Sequence, residues 1–385
     1  MGRGMKVERT LGLLVAMAAF CSALASGAQV ANAVHVSCGD TITADTTLDG
    51  DLVDCPNNGI MIGADDITLD LNSHTVAGNG KAVKNCPKNK PCDLGVVNDG
   101  HDGVTVTGGS VREFDTGVFI GKARQNRVLG ISSSRHRFFG FVVAESARSL
   151  IRDSSGNGNL APEGDGLGLF GSHDIRILRN SFRHNAQLGM HVVDSPGNLI
   201  RGNIFFRNSD FGLLMEANRN QVRRNRCVRN STCMIVAPGS RNVIAGNHSL
   251  RDGTGIGIEK GRGNRVIGNV VVRSRRSGIY LGLNEPAIGG KDTVLRRNLV
   301  RGSGGDGFTV RAADDNSLLR GNIARGSADD GFDINNDSTR LTRNRAVHNA
   351  DLGIEAVFGV IDGGGNRASR NGNPLQCTNV FCSSG

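Results

Sequence analysis

Tyr280, Arg311 and Asp333 are the side chains of this 385-residue chain whose types and spacing suggest chemistry. A guanidinium can neutralise a substrate carboxylate, and a phenol or carboxyl group beside it can move the proton that neutralisation makes acidic. Glu259 and Lys260 precede the trio and Glu355 follows it, as neighbours for binding a substrate. Such a group suits proton abstraction next to a uronate, which is lyase or epimerase chemistry. Hydrolysis stays open as well, because it needs two carboxyl groups about 5 to 9.5 Å apart, and Glu259, Asp333 or Glu355 could supply them. Asp306, Asp330 and Asp351, with Asp329 adjacent, make an acidic corner whose charges repel unless a cation intervenes. Calcium is the expected cation, against the plainer reading that aspartate favours turns without any metal.

A repeat brings these distant positions together. Asparagines in the frame Asn-x-hydrophobic stand at Asn180, Asn203, Asn225, Asn247, Asn269, Asn298, Asn322 and Asn344, mostly 22 or 23 residues apart. Five residues after each comes a second small polar residue, and nine after comes a glycine in six units, from Gly189 to Gly353. Between these points the chain alternates, as in Gly331-Phe332-Asp333-Ile334, which is the period of a strand. About three short strands per 22 residues suit one turn of a β-solenoid, whose core forms only by stacking. Turns lie roughly 4.8 Å apart, so Tyr280, Arg311 and Asp333 should fall on three consecutive turns. The corner asparagines are expected to take the left-handed backbone conformation and to bond the amide one turn away. A leucine-rich-repeat horseshoe is the rival architecture, and the mixed Val, Ile, Leu, Phe and Met at inward positions speak against it. Insertions at Gly156 to Asp165 and Leu283 to Asp292 break the period, and the second would wall the cluster.

The turns from Gly166 to Gly353 resemble the right-handed parallel β-helix repeats shared by pectate-lyase-like enzymes and by NosD-like carbohydrate-binding and sugar-hydrolase modules. The expected fold is therefore all-β, a single right-handed parallel β-helix of about 22 residues per turn. The resemblance implies a carbohydrate partner, but the catalytic motifs do not carry over. The stretch Asn98-Asp99-Gly100-His101-Asp102 lacks the proline of the Asp-Pro-His signature of alginate-epimerase-like β-helices. NosD-like proteins are also associated with copper-enzyme maturation. Met190, Met215 and Met234 fall on successive turns near His184 and His191, yet Met190 and Met215 sit at inward positions and read as core.

The chain is basic, with 45 Lys and Arg against 36 Asp and Glu. His184, Arg207, Arg229, Arg251 and Arg273 each stand four residues after a repeat asparagine, and Arg201, Arg223, Arg296 and Arg320 form a neighbouring strip. Such edges favour an anionic partner, and an acidic polysaccharide fits better than nucleic acid. They support an alternative without catalysis, a glycan-binding or surface-interaction rod; a purely structural spacer is a third.

Residues 1–33 read as a signal peptide cleaved after Ala25 or Ala33, 34–65 as an N-terminal cap, 66–362 as the helix and 363–385 as a C-terminal cap. Beyond Cys21, eight cysteines fall into neighbouring pairs: Cys38 and Cys55, Cys86 and Cys92, Cys227 and Cys233, Cys377 and Cys382. Local disulfides are the simplest arrangement. The expected product is a secreted monomer, extracellular or periplasmic, with no membrane span and no cofactor besides calcium.

Overall fold

The computed structural model describes residues 33–83, 92–160, 162–282 and 290–384, and every regular element among them is a β-strand. The strands are short because each turn breaks at three corners. A representative turn has Leu199–Arg201, Ile204–Phe206 and Phe211–Glu216. Each pairs in parallel with its counterpart one turn on, as Leu199 with Gln221, Ile204 with Arg226 and Leu213 with Met234. Three stacks result. The first sheet has 14 strands, from Asp40–Ile42 to Ile354–Ala356. The second and third join where Thr105–Arg112 and Arg127–Ser134 run through their shared corner.

The interior is filled from end to end. Ile177, Ile200, Val222, Ile244, Val266, Leu295, Leu319 and Leu341 make one fully buried column. Phe182 stacks on Phe205 at 5.6 Å, and Phe308 on Phe332 at 4.7 Å. Burial of each such side chain contributes roughly 1.5–3 kcal/mol. Any site must be built on the outside.

The corners differ from the sequence expectation in one respect: the asparagines do not take the left-handed turn. The residue before each of them does. Arg207, Arg229, Arg251 and Arg273 have φ of 53°, 60°, 57° and 55° in front of Asn208, Asn230, Asp252 and Ser274, and Gly202 and Gly246 precede Asn203 and Asn247 in the same conformation. The asparagine turns inward instead. Asn203 donates from both its backbone N and its Nδ2 to Oδ1 of Asn225, at 2.9 and 3.0 Å, while Nδ2 of Asn225 donates to the carbonyl of Ile200 at 2.9 Å. An amide is needed there because it is donor and acceptor at once. The ladder runs on to Asn366, and a second one, Asn198, Asn220, Asn242 and Asn264, occupies the third corner.

The repeating glycine stands at the bend that opens a strand of the first sheet, as Gly189 does before Met190–Val193, and a Cβ on Gly189 would stand 2.5 Å from the carbonyl O of Gly212 and 2.7 Å from Phe205. Glycine is there for close packing.

Disulfides join Cys38 to Cys55, Cys227 to Cys233 and Cys377 to Cys382. Cys86 lies outside the described residues, as do the expected signal segment up to residue 32 and residues 283–289 of the later insertion. Strands at Asp40–Ile42 and Ile60–Ile62 already belong to the first sheet. Among the described residues no helix is long and apolar enough to cross a membrane.

Candidate active site

The first sheet presents an outward column in strict register: His191, Leu214, Ile235, Gly257, Tyr280, Thr309, Asp333 and Glu355. Two residues later runs a parallel column holding Glu259, Gly282, Arg311 and Asn335, each bonded through its backbone N to the turn before. Tyr280, Arg311 and Asp333 therefore do occupy three consecutive turns, with Glu259 on the turn before and Glu355 on the turn after.

Tyr280 is positioned by a missing side chain. Its ring folds back over Gly257, where a Cβ would lie 2.5 Å from the ring and 2.6 Å from the phenol oxygen. This delivers the hydroxyl to Glu259 Oε1, to which it donates at 2.6 Å. Burial, reinforced by the Glu259 carboxylate, pushes the phenol well above its ordinary range; Arg311 and Arg276 pull the other way. Tyr280 is thus held protonated, as a proton donor rather than a base. It lines a depression of about 520 Å³ with Glu259, Arg276, Arg311, Asp210 and Phe211.

On the other side of Arg311 stand carboxyl groups in partial desolvation. Burial, then the charges of Asp306 and Glu355, raise Asp333 to about 6, while a 2.6 Å hydrogen bond from Asn335 and the charge of Arg311 lower it. Asp306 is raised by burial although Thr309 donates to it at 3.0 Å. Asp330 is raised to about 8 by burial, then by the neighbouring Glu355 carboxyl group. Asp306, Asp329 and Asp330 have ligand oxygens within 4.8 Å of one another. Asp351 sits one turn below Asp329 and accepts from Asn373 at 2.9 Å, so the third expected aspartate of that corner is replaced in the group by Asp329.

Lys260 follows Glu259 at the end of its strand, half-buried. The arginines expected to bind substrate, Arg207, Arg229, Arg251 and Arg273, are all exposed at consecutive corners, and Arg207 also covers Phe206 at 5.1 Å. Arg201 pairs with Arg223 and Arg296 with Arg320 on the second sheet, with Ala245 and Ile267 between the two pairs. Asp210, Arg276, Thr309 and Asn335 join the candidates: spacing puts Thr309 and Asn335 at outward positions without a role, whereas Asp210 and Arg276 sit in corners, where spacing alone does not fix direction.

Residues 157–288 match a family model described as periplasmic copper-binding protein (NosD). No curated protein matches the chain. The periplasmic alginate epimerase AlgG is similar in structure, with TM-score 0.57 and 14% identity over 74% of this chain and 77% of that one. The A-module of the Azotobacter vinelandii mannuronan C-5 epimerase AlgE6 gives 0.54 and 14% over 86% and 88%. The catalytic domain of a GH87 α-1,3-glucanase gives 0.50 and 13% over 74% and 63%. The fold is the right-handed parallel β-helix. The copper of the family description finds no donor set among the described residues. Met190, Met215 and Met234 are at most 2% exposed in the core, His191 pairs with Glu216 at 3.1 Å, and the thiols nearest a carboxylate, Cys227 and Cys233, are bonded to each other.

Proposed function

We propose that this is a secreted, carbohydrate-active β-helix that acts on a uronate-containing polysaccharide lying along the first sheet, as a lyase or epimerase. The observation that carries the reading is Arg311 set between a proton donor, Tyr280 with Glu259, and a proton acceptor, Asp333. Arg311 and Arg276 would hold the uronate carboxylate and stabilise the charge that develops when Asp333 takes the adjacent C5 proton. In the lyase case the electron pair forms the C4–C5 double bond and the glycosidic oxygen leaves C4, taking the proton of Tyr280. In the epimerase case the carbanion is reprotonated on its other face. Asp330, raised to about 8, carries less negative charge near neutrality than a free carboxylate, which lowers its repulsion of an anionic polymer. The disulfides among the described residues fit an oxidising compartment. Two of the similar structures are alginate epimerases, and one is a glucanase domain; the fold thus hosts both chemistries.

The test is incubation with pectate, alginate, glycosaminoglycans and neutral glycans, following unsaturated ends, uronate configuration and reducing ends together. Arg311→Ala and Tyr280→Phe are each expected to lower kcat/KM by about 10²–10³ with the fold intact. The rate should rise with pH through about 6 as Asp333 ionises. Asn335→Ala removes a hydrogen bond that lowers the Asp333 pKa, so it should move that limb to higher pH. Reducing ends without unsaturation would overturn this reading in favour of hydrolysis, for which Asp333, Asp330 and Glu355 supply the carboxyl groups.

Calcium is the proposed counter-ion of Asp306, Asp329 and Asp330, whose oxygens suit a hard cation. Added calcium should then raise the melting temperature, and Asp329→Asn should abolish the rise; no shift in the wild-type protein would remove the metal. A non-catalytic rod is the second reading, favoured by the exposed arginine corners. Retention on acidic glycans that weakens with salt, without any turnover, would select it.

A further inference from the structure

The first sheet carries another outward feature, toward the N-terminal end of the rod from Tyr280, that the site above does not use. Phe119 and Phe170 are half-buried, and each ring folds over a glycine of its own strand. A Cβ on Gly121 would lie 2.6 Å from Phe119 Cε1, and one on Gly168 would lie 2.4 Å from Phe170 Cε2. With that space empty, both rings lie along the sheet rather than standing off it. The turn between them places the smaller Val142 and Ala144 in register with the two rings and their glycines. The result is a depression of about 540 Å³, walled by Phe138 and Phe139 and rimmed by Asp99, Lys122 and Glu145. Phe170 is held edge to face between Phe139 at 5.7 Å and His191 at 5.9 Å.

We propose that this depression is a sugar-binding subsite that takes a neutral pyranose, with the carbon-bound hydrogens of the ring against Phe119 and Phe170 and its hydroxyls on Asp99, Lys122 and Glu145. A pyranose has an apolar face and a polar edge, and this site offers an apolar floor with a polar rim. Two rim carboxylates against one ammonium disfavour a uronate. The turn spacing of roughly 4.8 Å is close to the rise per residue of an extended pyranose chain. Phe119 and Phe170, two turns apart, therefore face alternate residues of one strand of polymer. The occupant is continuous with the acid–base site. Gly168 and Tyr280 are five paired steps apart in the same column, about 24 Å at that spacing. The subsite rests on the carbohydrate-active reading and deepens it: the polymer carries neutral residues to one side of the reacting uronate.

The test is calorimetric titration of the full, oxidised chain with cellohexaose, mannohexaose and laminarihexaose, and with hexagalacturonate as the acidic comparison. The wild type should bind one of the neutral hexaoses. Phe119→Ala and Phe170→Ala should each weaken that binding about tenfold, Phe170→Trp should keep it, and hexagalacturonate binding should not change. The subsite is overturned if no neutral hexaose binds, or if the alanine variants bind as the wild type does while melting normally. It is also overturned if these variants instead abolish self-association seen by sedimentation, which would make the patch an interface between copies. Binding is read without turnover. A silent acid–base site would therefore leave this result standing, and failure here would leave turnover by Tyr280 and Asp333 untouched.

Discussion

Asp252 stands in a corner ladder between Asn230 and Ser274, and it shows how closely a single atom is specified. Its Oδ1 accepts from the backbone N and Nδ2 of Asn230 at 2.7 and 2.9 Å, as an asparagine would, while Oδ2 accepts from Ser249 at 2.7 Å. Burial nevertheless raises its pKa to about 6. The folded chain therefore holds a proton that the unfolded chain releases near 4. Stability present below that pH is lost as pH rises through 6. Asp252→Asn keeps the acceptor and removes the charge, with the Ser249 hydroxyl turning to accept. It should raise stability at pH 8 by up to about 3 kcal/mol and change little at pH 4, as denaturant melts at the two pH values would show. His136 acts in the opposite sense. Fully buried, it is lowered to about 3, so stability is lost as pH falls below about 6.5.

At the scale of strands and corners, residues of neighbouring corners have different duties. Asn225 is a fully committed amide. Asn225→Ala would strand the donors of Asn203 and the carbonyl of Ile200 in the interior, at a cost of roughly 3–5 kcal/mol. At the adjoining corner the left-handed residues Arg207, Arg229, Arg251 and Arg273 are exposed and hold no such ladder through their side chains. Replacing Arg207, Arg229, Arg251 and Arg273 together by glycine should leave stability within about 1 kcal/mol, because relief of the left-handed strain offsets the added freedom of the unfolded chain. The same variant should lose salt-sensitive retention on acidic glycans. Chemical denaturation and a glycan column separate the two effects. This division explains what the sequence disclosed. Period, strand count and the column containing Tyr280 and Asp333 follow from spacing and alternation. Composition points to the asparagine as the left-handed residue because asparagine tolerates that conformation; the inward amide ladder is decided by the next turn, which a single unit does not reveal. The flat lie of Tyr280, Phe119 and Phe170 depends on glycines facing out of the same sheet, and their meaning appears only when strands are stacked.

The whole molecule is stable as a column is, turn upon turn, and weakest where a turn has one neighbour. Cys377–Cys382 closes the far end, with Ile354 bridged to Cys377 and Asn366 paired with Cys382. Converting both cysteines to serine should raise hydrogen exchange over the last two turns while leaving the turns around Tyr280 protected. Loss of protection along the full length would instead mean that the rod unfolds as one unit.

Because the amide ladders and the inward glycines make neighbouring turns meet through nearly the same contacts, length is an adjustable quantity in this molecule. Excising one repeat between Asn203 and Asn225 would rejoin Asn180 and Asn225 as ladder neighbours and draw the two ends of the binding face together by a single step. A gene built this way can reset the distance between two places on a surface by duplicating or dropping a cassette, without inventing a new fold.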